Sequence, residues 1–222
     1  MKNLVIFGTG GFAREVHQIV EDINSQLPTL NFLGFLDEDY EHHNTDVHGC
    51  KVLGGIDWLI KTDINDVFIV IAIGNPKNKR KIAEIIEKKT KARFATLIHP
   101  RAWIGSRVTI GDGSIICAGT LITTDITLGN HVIVNIGSTV GHDAIMQDYV
   151  TVAPTVNVSG AVWVGEGTDL GTGSTIIQGK KIGAWSIVGA GAVVVNDIDA
   201  NVTVVGAPAR TIKSRHVGWH LE

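Results

Sequence analysis

The chain has 222 residues, 44% hydrophobic and 18% charged, a composition that excludes disorder and allows one large domain or two modest ones. Nineteen Lys and Arg against 22 Asp and Glu leave a net charge of -3, so no basic face marks nucleic acid or an anionic membrane as a partner. Cys50 and Cys117 lie far apart without metal-type spacing and suit a reducing compartment, and the opening "MKNLVIF" is too short an apolar run for a signal peptide, so the expected location is cytoplasmic.

In chain order, "NLVIFGTGGFAREVHQIV" reads as strand, Gly-rich turn and helix, with apolar positions Phe12, Val16, Ile19 and Val20 at helical spacing. "FLGFLD" predicts a second strand closed by Asp37, "VFIVIAIGNP" a third, and "NKRKIAEIIEKK" an amphipathic helix. Such alternation implies a parallel sheet. Gly8-Thr9-Gly10-Gly11 with Ala13 fits a diphosphate-binding turn, and Asp37 is placed to bind a ribose hydroxyl. A plain strand-to-helix turn has the same glycines. Fewer than a hundred residues precede the next segment, which favours a mononucleotide or nucleotide-sugar over NAD.

From Ile98 to Val194 every sixth residue is aliphatic or Met, and the residue two before each is mostly small or β-branched, with Lys180 the clear exception. A period of six is not helical; it fits short strands separated by turns, stacked as a solenoid. Three sides are the fewest that enclose a filled interior, so a coil takes eighteen residues and the run makes about five coils. A passive prism fits this pattern as well as an enzyme does. Within this nearly uncharged run "VGHDAIMQDYV" places His142 beside Asp143, with Gly160 one coil further on and Gln178 two.

The markers "GTGGFAREV", "FLDED", "AIGNPKNKRKI", "LIHPRAWIG", "GHD" followed by "DYVTVAPTVNVSG", and "VVGAPAR" together resemble the hexapeptide-repeat sugar acyltransferases. These include sialic acid O-acetyltransferases and N-acetyltransferases of nucleotide-linked 4-amino-sugars. The resemblance implies a small Rossmann-like α/β domain over residues 1–97, a left-handed parallel β-helix of hexapeptide repeats over 98–210 and a tail over 211–222. It further implies acetyl-CoA as co-substrate, no metal, and a homotrimer with its sites between neighbouring β-helices. His142 matches the general base and Asp143 the acidic residue that orients it; because adjacent strand residues point to opposite faces, the pairing requires a turn. Gly8 to Phe12, Asp37, Gly74, Asn75, Arg80 and Asn135 fall on the substrate side. Gly160, with its N–H near the thioester carbonyl, Gln178, Gly179, Ala190, Pro208 and Arg210 fall along the CoA groove. Turn chemistry for the glycines, an Asn ladder for Asn135 and a solvated Arg210 are the alternatives.

The chain departs from relatives at Phe12, where some have His, at Met146-Gln147, where Ile-Gly is common, and at Thr151, where some have a second His. His42, His43 and His48 read as a polar loop, His99 as the start of the repeats, and His216 and His220 as tail; His99, His131 and His142 lack the spacing of a zinc site. The expected function is N-acetylation by acetyl-CoA of a nucleotide-activated amino-sugar (UDP-, dTDP- or GDP-linked 4-amino-dideoxy sugar) in surface glycan synthesis. O-acetylation of a sugar such as sialic acid, and a non-catalytic nucleotide-binding trimer, stay open; an NAD-linked oxidoreductase is disfavoured by the short first domain.

Overall fold

The computed structural model describes residues 1–222. The N-terminal unit runs β1 (Lys2–Phe7), α1 (Gly11–Gln26), β2 (Leu30–Leu36), β3 (Asp46–Val47), β4 (Cys50–Gly54), α2 (Ile56–Lys61), β5 (Val67–Ile71), α3 (Pro76–Lys89) and β6 (Arg93–Phe94). Its sheet order is β3-β4-β2-β1-β5-β6, parallel except for the β3–β4 hairpin. That hairpin begins in the stretch around His48 that reads as a polar loop, and α2 lies in a stretch with no predicted element. Its two-residue turn is His48-Gly49, both at positive φ (52° and 74°), a conformation that suits the twist of a tight hairpin. α3 begins where Asn75 Oδ1 accepts the Asn78 N–H at 3.1 Å, with Pro76 at the first helical position.

The repeats form a parallel β-helix of two-residue strands, each paired with the strands eighteen residues before and after it. The first face holds Leu97–Ile98, Ile115–Ile116, Ile133–Val134, Thr151–Val152, Asp169–Leu170 and Ile187–Val188. The second runs from Trp103–Ile104 to Val193–Val194 and the third from Thr109–Ile110 to Lys181–Ile182. The sixth-residue column points inward and is fully buried from Ile116 onward. Ile98, by contrast, is 38% exposed, because the first coil has no coil above it. Buried hydroxyls pin the corners: Ser114, Ser138 and Ser186 each donate to a backbone oxygen and accept the N–H of Val132, Val156 and Val202. The period shortens by two residues in the last turn, where Ile182 pairs with Ile198 and Val188 with Val204. The antiparallel hairpin Val202–Val205/Arg210–Ser214 then closes that end, so residues 211–214, expected in the tail, are strand.

The N-terminal unit docks on the first face because both surfaces are apolar. Val16, Ile19 and Val20 of α1 share one core with Leu97, Ile115 and Ile133. Polar clasps flank this seam: His99 Nε2 donates to Asp22 Oδ2 at 2.7 Å, and the Thr151 hydroxyl donates to Gly74 O at 2.7 Å. At the third corner, between the third and first faces, His131, Tyr149 and Trp185 occupy one eighteen-residue column at left-handed φ (55°, 62° and 58°). His131 stacks on Tyr149 with centroids 5.2 Å apart and meets the edge of Phe94 from β6 at 4.4 Å.

Burial holds the His131 imidazole down to about 4, assisted by the Lys79 charge. Its folded value lies below its unfolded one, so the stability it permits is complete above about 6.5 and is lost as pH falls toward 4. Between pH 7 and pH 4 this amounts to about 3 kcal/mol. Chemical denaturation across that range is expected to show His131→Phe losing stability less steeply than wild type; parallel curves would remove His131 as the acid-sensitive group.

Candidate active site

The Gly-rich turn leaves β1 at Gly8, whose φ of 115° and close approach to Ala72 O exclude a side chain. α1 starts at Gly11 behind the N-cap Gly10, without a side-chain cap or an acidic residue in its first turn, so its opening N–H groups are free to receive an anion. Beside the turn, the Thr9 hydroxyl donates to Asp37, which also accepts the Asp39 N–H at 2.9 Å. Burial pushes the Asp37 carboxyl upward, but these hydrogen bonds and His42 outweigh it, and the net shift is downward. His42 Nδ1 lies 3.2 Å from Asp37 Oδ2, and His43 Nε2 donates to Asp37 O at 2.7 Å. Two histidines assigned by sequence to a plain polar loop therefore frame the expected ribose site.

A cleft opens where this unit meets the β-helix, lined by Phe12, Glu15, Gly74, Asn135, Thr151 and Asp169. It lies outside the carboxyl ends of β1 and β5, the position where open α/β sheets bind ligands. Phe12, Gly74 and Asn135, far apart in sequence, are thus brought together. Arg80 is not: it faces the third corner, with Nε donating to Glu84 Oε1 at 2.7 Å, an ion pair to Glu166, and its guanidinium over the Trp185 ring, on which His220 also stacks. Its expected substrate role is corrected to a clasp between α3, the β-helix and the C-terminal segment. Asn75 is occupied as the cap of α3.

His142 stands at the second corner, between the second and third faces. The required turn is present: Asp143 adopts φ 61° and its Oδ2 accepts from His142 Nδ1 at 2.7 Å. With Nδ1 so engaged, the lone pair of Nε2 is the free basic site. The ring lies over Gly160, where a β-carbon would come within 2.6 Å of Nε2. The Gly160 N–H donates to no acceptor in the chain, so it is available to a ligand oxygen beside the imidazole. Gln178 and Gly179 continue the same corner.

The remaining expected CoA-side residues lie elsewhere. Ala190 belongs to the first corner with Asn135, and Pro208 joins it through the turn of the terminal hairpin, where Ala209 N–H donates to Val193 O. Arg210 is exposed on that hairpin, with one guanidinium N–H on Ala209 O. The expected site is thus split along opposite edges of the second face, with His142, Asp143, Gly160, Gln178 and Gly179 at one and the cleft, Asn135, Ala190 and Pro208 at the other. No group of three or more His, Cys, Asp or Glu is arranged to hold a metal ion, and no helix is long and apolar enough to cross a membrane.

The model of the PglD N-terminal domain matches residues 3–86. GDP-perosamine N-acetyltransferase of Escherichia coli O157:H7 is 32% identical over 214 residues, 94% of this chain and 95% of that one. Among solved structures, WeeI of Acinetobacter baumannii AYE superposes with a TM-score of 0.86 at 32% identity, covering 96% of this chain and all of that one. A histidine-to-asparagine variant of perosamine N-acetyltransferase from Caulobacter crescentus, in complex with CoA and GDP-perosamine, gives 0.86 at 29% identity, covering 96% and 98%.

Alanine at Gly160 is expected to push the His142 ring off its seat and break its hydrogen bond to Asp143. Because the ring can swing into solvent, the melting temperature should hold while the His142 Nδ1 proton signal in NMR spectra is lost. An unchanged signal would mean that the ring does not rest on Gly160.

Proposed function

Since the chain belongs to the hexapeptide-repeat nucleotide-sugar N-acetyltransferases, an acetyl-CoA-dependent family with a left-handed β-helix, we propose that it acetylates the amine of a nucleotide-linked 4-amino-sugar at a site completed by a second copy. The observation that carries this reading is the pair at the second corner: an imidazole oriented by a carboxylate and seated beside an unpartnered backbone N–H. Curated relatives named for N-acetylation of GDP-perosamine and of UDP-N-acetylbacillosamine favour N- over O-acetylation.

In the reaction, the sugar amine attacks the thioester carbonyl carbon, forming the C–N bond, while its proton passes to His142 Nε2. Negative charge gathers on the carbonyl oxygen, where the Gly160 N–H stabilises it. The C–S bond then breaks, and the proton held by His142 leaves with the CoA thiolate as thiol. Asp143 keeps Nδ1 protonated and compensates the imidazolium. The Gly8 to Phe12 turn receives the diphosphate at the α1 N-terminus, Asp37 the ribose, and the cleft at Gly74 and Asn135 the sugar.

The split between the two edges of the second face supports a site completed by a second copy, which we read as part of a homotrimer. Trp103 and Leu121 on that face are 57% and 47% exposed, and Ile136 and Ile177 are exposed at its two corners. Burying this surface between copies sets the His142 corner of one chain against the cleft of the next, with CoA between Gly160 to Gly179 of one and Ala190, Pro208 and Arg210 of the other. Such an enzyme would work in the cytoplasm, where acetyl-CoA and nucleotide-sugars are made.

Thiol release from acetyl-CoA with a panel of GDP-, UDP- and dTDP-linked 4-amino-sugars is expected for wild type, with a loss of at least about 100-fold in kcat for His142→Ala. Release that survives the substitution would remove His142 as the base. Mixed oligomers of His142→Ala with an Asp37→Ala, Gly10→Trp chain are expected to regain activity that neither has alone. A monomeric mass by light scattering, or no recovery on mixing, would refute a site shared between copies.

A further inference from the structure

The outward column of the first face reads Leu97, Ile115, Ile133, Thr151, Asp169 and Ile187, apolar except at two positions that border the cleft. Thr151 is spent: its hydroxyl donates to Gly74 O and accepts from Lys79 Nζ at 2.9 Å. Lys79, at 1% exposure, does not line the cleft; burial lowers its amine to about 7, and it also donates to Val150 O at 3.3 Å. Asn135 Oδ1 takes the Ile136 N–H, which leaves its amide NH₂ as a donor.

Asp169 differs from all of these. Its carboxylate has no hydrogen-bond partner and forms no ion pair with Lys79, although the two charges interact across the seam. Burial raises its proton affinity, and the Lys79 charge opposes that rise. A half-buried carboxylate among aliphatic neighbours is costly when unpaired, and structural needs at this position would be met by the Ile or Leu found elsewhere in the column. With Glu15 contributed by α1, the β-helix side of the cleft presents one free donor, Asn135 Nδ2, and one acceptor-only group, Asp169. This is a pairing suited to a hydroxylated ring rather than to a phosphate or an apolar chain.

We propose that Asp169 sets acceptor specificity by taking a hydrogen bond from a ring hydroxyl of the amino-sugar, so that the enzyme selects sugars with a free hydroxyl there over deoxy or acetamido counterparts. The proposal rests on the acetyltransferase reading of the cleft. Lys79 supplies the opposite charge from behind the seam, and the carboxylate stays exposed to the ligand because Lys79 is held by Thr151 and Val150.

The test is steady-state thiol release with wild type, Asp169→Asn and Asp169→Leu, using a nucleotide-linked 4-amino-hexose with free hydroxyls and its 2-deoxy, 3-deoxy and 2-acetamido analogues, beside calorimetric binding of the bare nucleoside diphosphate. Wild type is expected to prefer the hydroxylated acceptor at least ten-fold in kcat/KM over one or more analogues. Asp169→Leu should raise the acceptor KM at least ten-fold and abolish that preference, with the KM for acetyl-CoA and diphosphate binding unchanged. Asp169→Asn retains an acceptor oxygen and is expected to weaken the preference only in part, and Asp169→Val, which has no acceptor, takes the place of the leucine variant if that folds poorly. An unchanged preference in a folded variant, or an equal loss for all acceptors and for the diphosphate, would overturn the assignment while the acetyltransferase reading stands. No release by wild type with any acceptor would overturn both.

Discussion

Everything in this molecule depends on the closure of eighteen residues into one triangular turn. Each side contributes one inward aliphatic residue, and up to the shortened last turn every strand hydrogen-bonds to the one eighteen positions later, so lateral position there is fixed by residue number modulo eighteen. Such a lattice leaves little freedom to a functional side chain. A residue at the second corner stays at that edge in every coil, which is why His142, Gly160 and Gln178 line up without any direct contact between the first and last.

That regularity made most of the β-helix legible. A strict period with one aliphatic class reports the interior directly, and the need for a turn between His142 and Asp143 could be stated before the φ of Asp143 was seen. Period alone does not say which corners face each other between chains, so residues that read as one groove turned out to occupy two edges. The N-terminal unit was legible where apolar runs were long. The β3–β4 hairpin is not legible because β3 is only two residues long and its turn is His48-Gly49 rather than a familiar Asn-Gly pair. Arg80 was misplaced because a helix has two usable faces, and only the packing of α3 on the third corner decides which one holds it. Lys79 and Asp169 carry no local signal at all, since their proximity across the seam arises only from docking two units distant in sequence.

The two units do different work through one seam. The apolar contact of α1 with the first face fixes the N-terminal unit rigidly, and the polar clasps at Asp22–His99 and Gly74–Thr151 set its register along the prism. The depth of the cleft is therefore a property of the seam rather than of either unit. A change in coil number between α1 and the cleft would carry the Gly-rich turn away from the level of Asn135.

The two ends of the prism are unequal. At the C-terminal end the hairpin Val202–Val205/Arg210–Ser214, its turn on Val193 and the bridge at Ile198 occupy the edges of all three faces, whereas the first coil has strand neighbours on one side only. Strand edges invite pairing with another chain, and a body with such an edge at both ends could add copies head to tail without limit. With one end sealed, the open edge can meet only another open edge, and that union is complete at two partners. The terminal hairpin thus acts as a chain terminator for assembly, keeping a stack of β-coils from becoming the seed of a fibre.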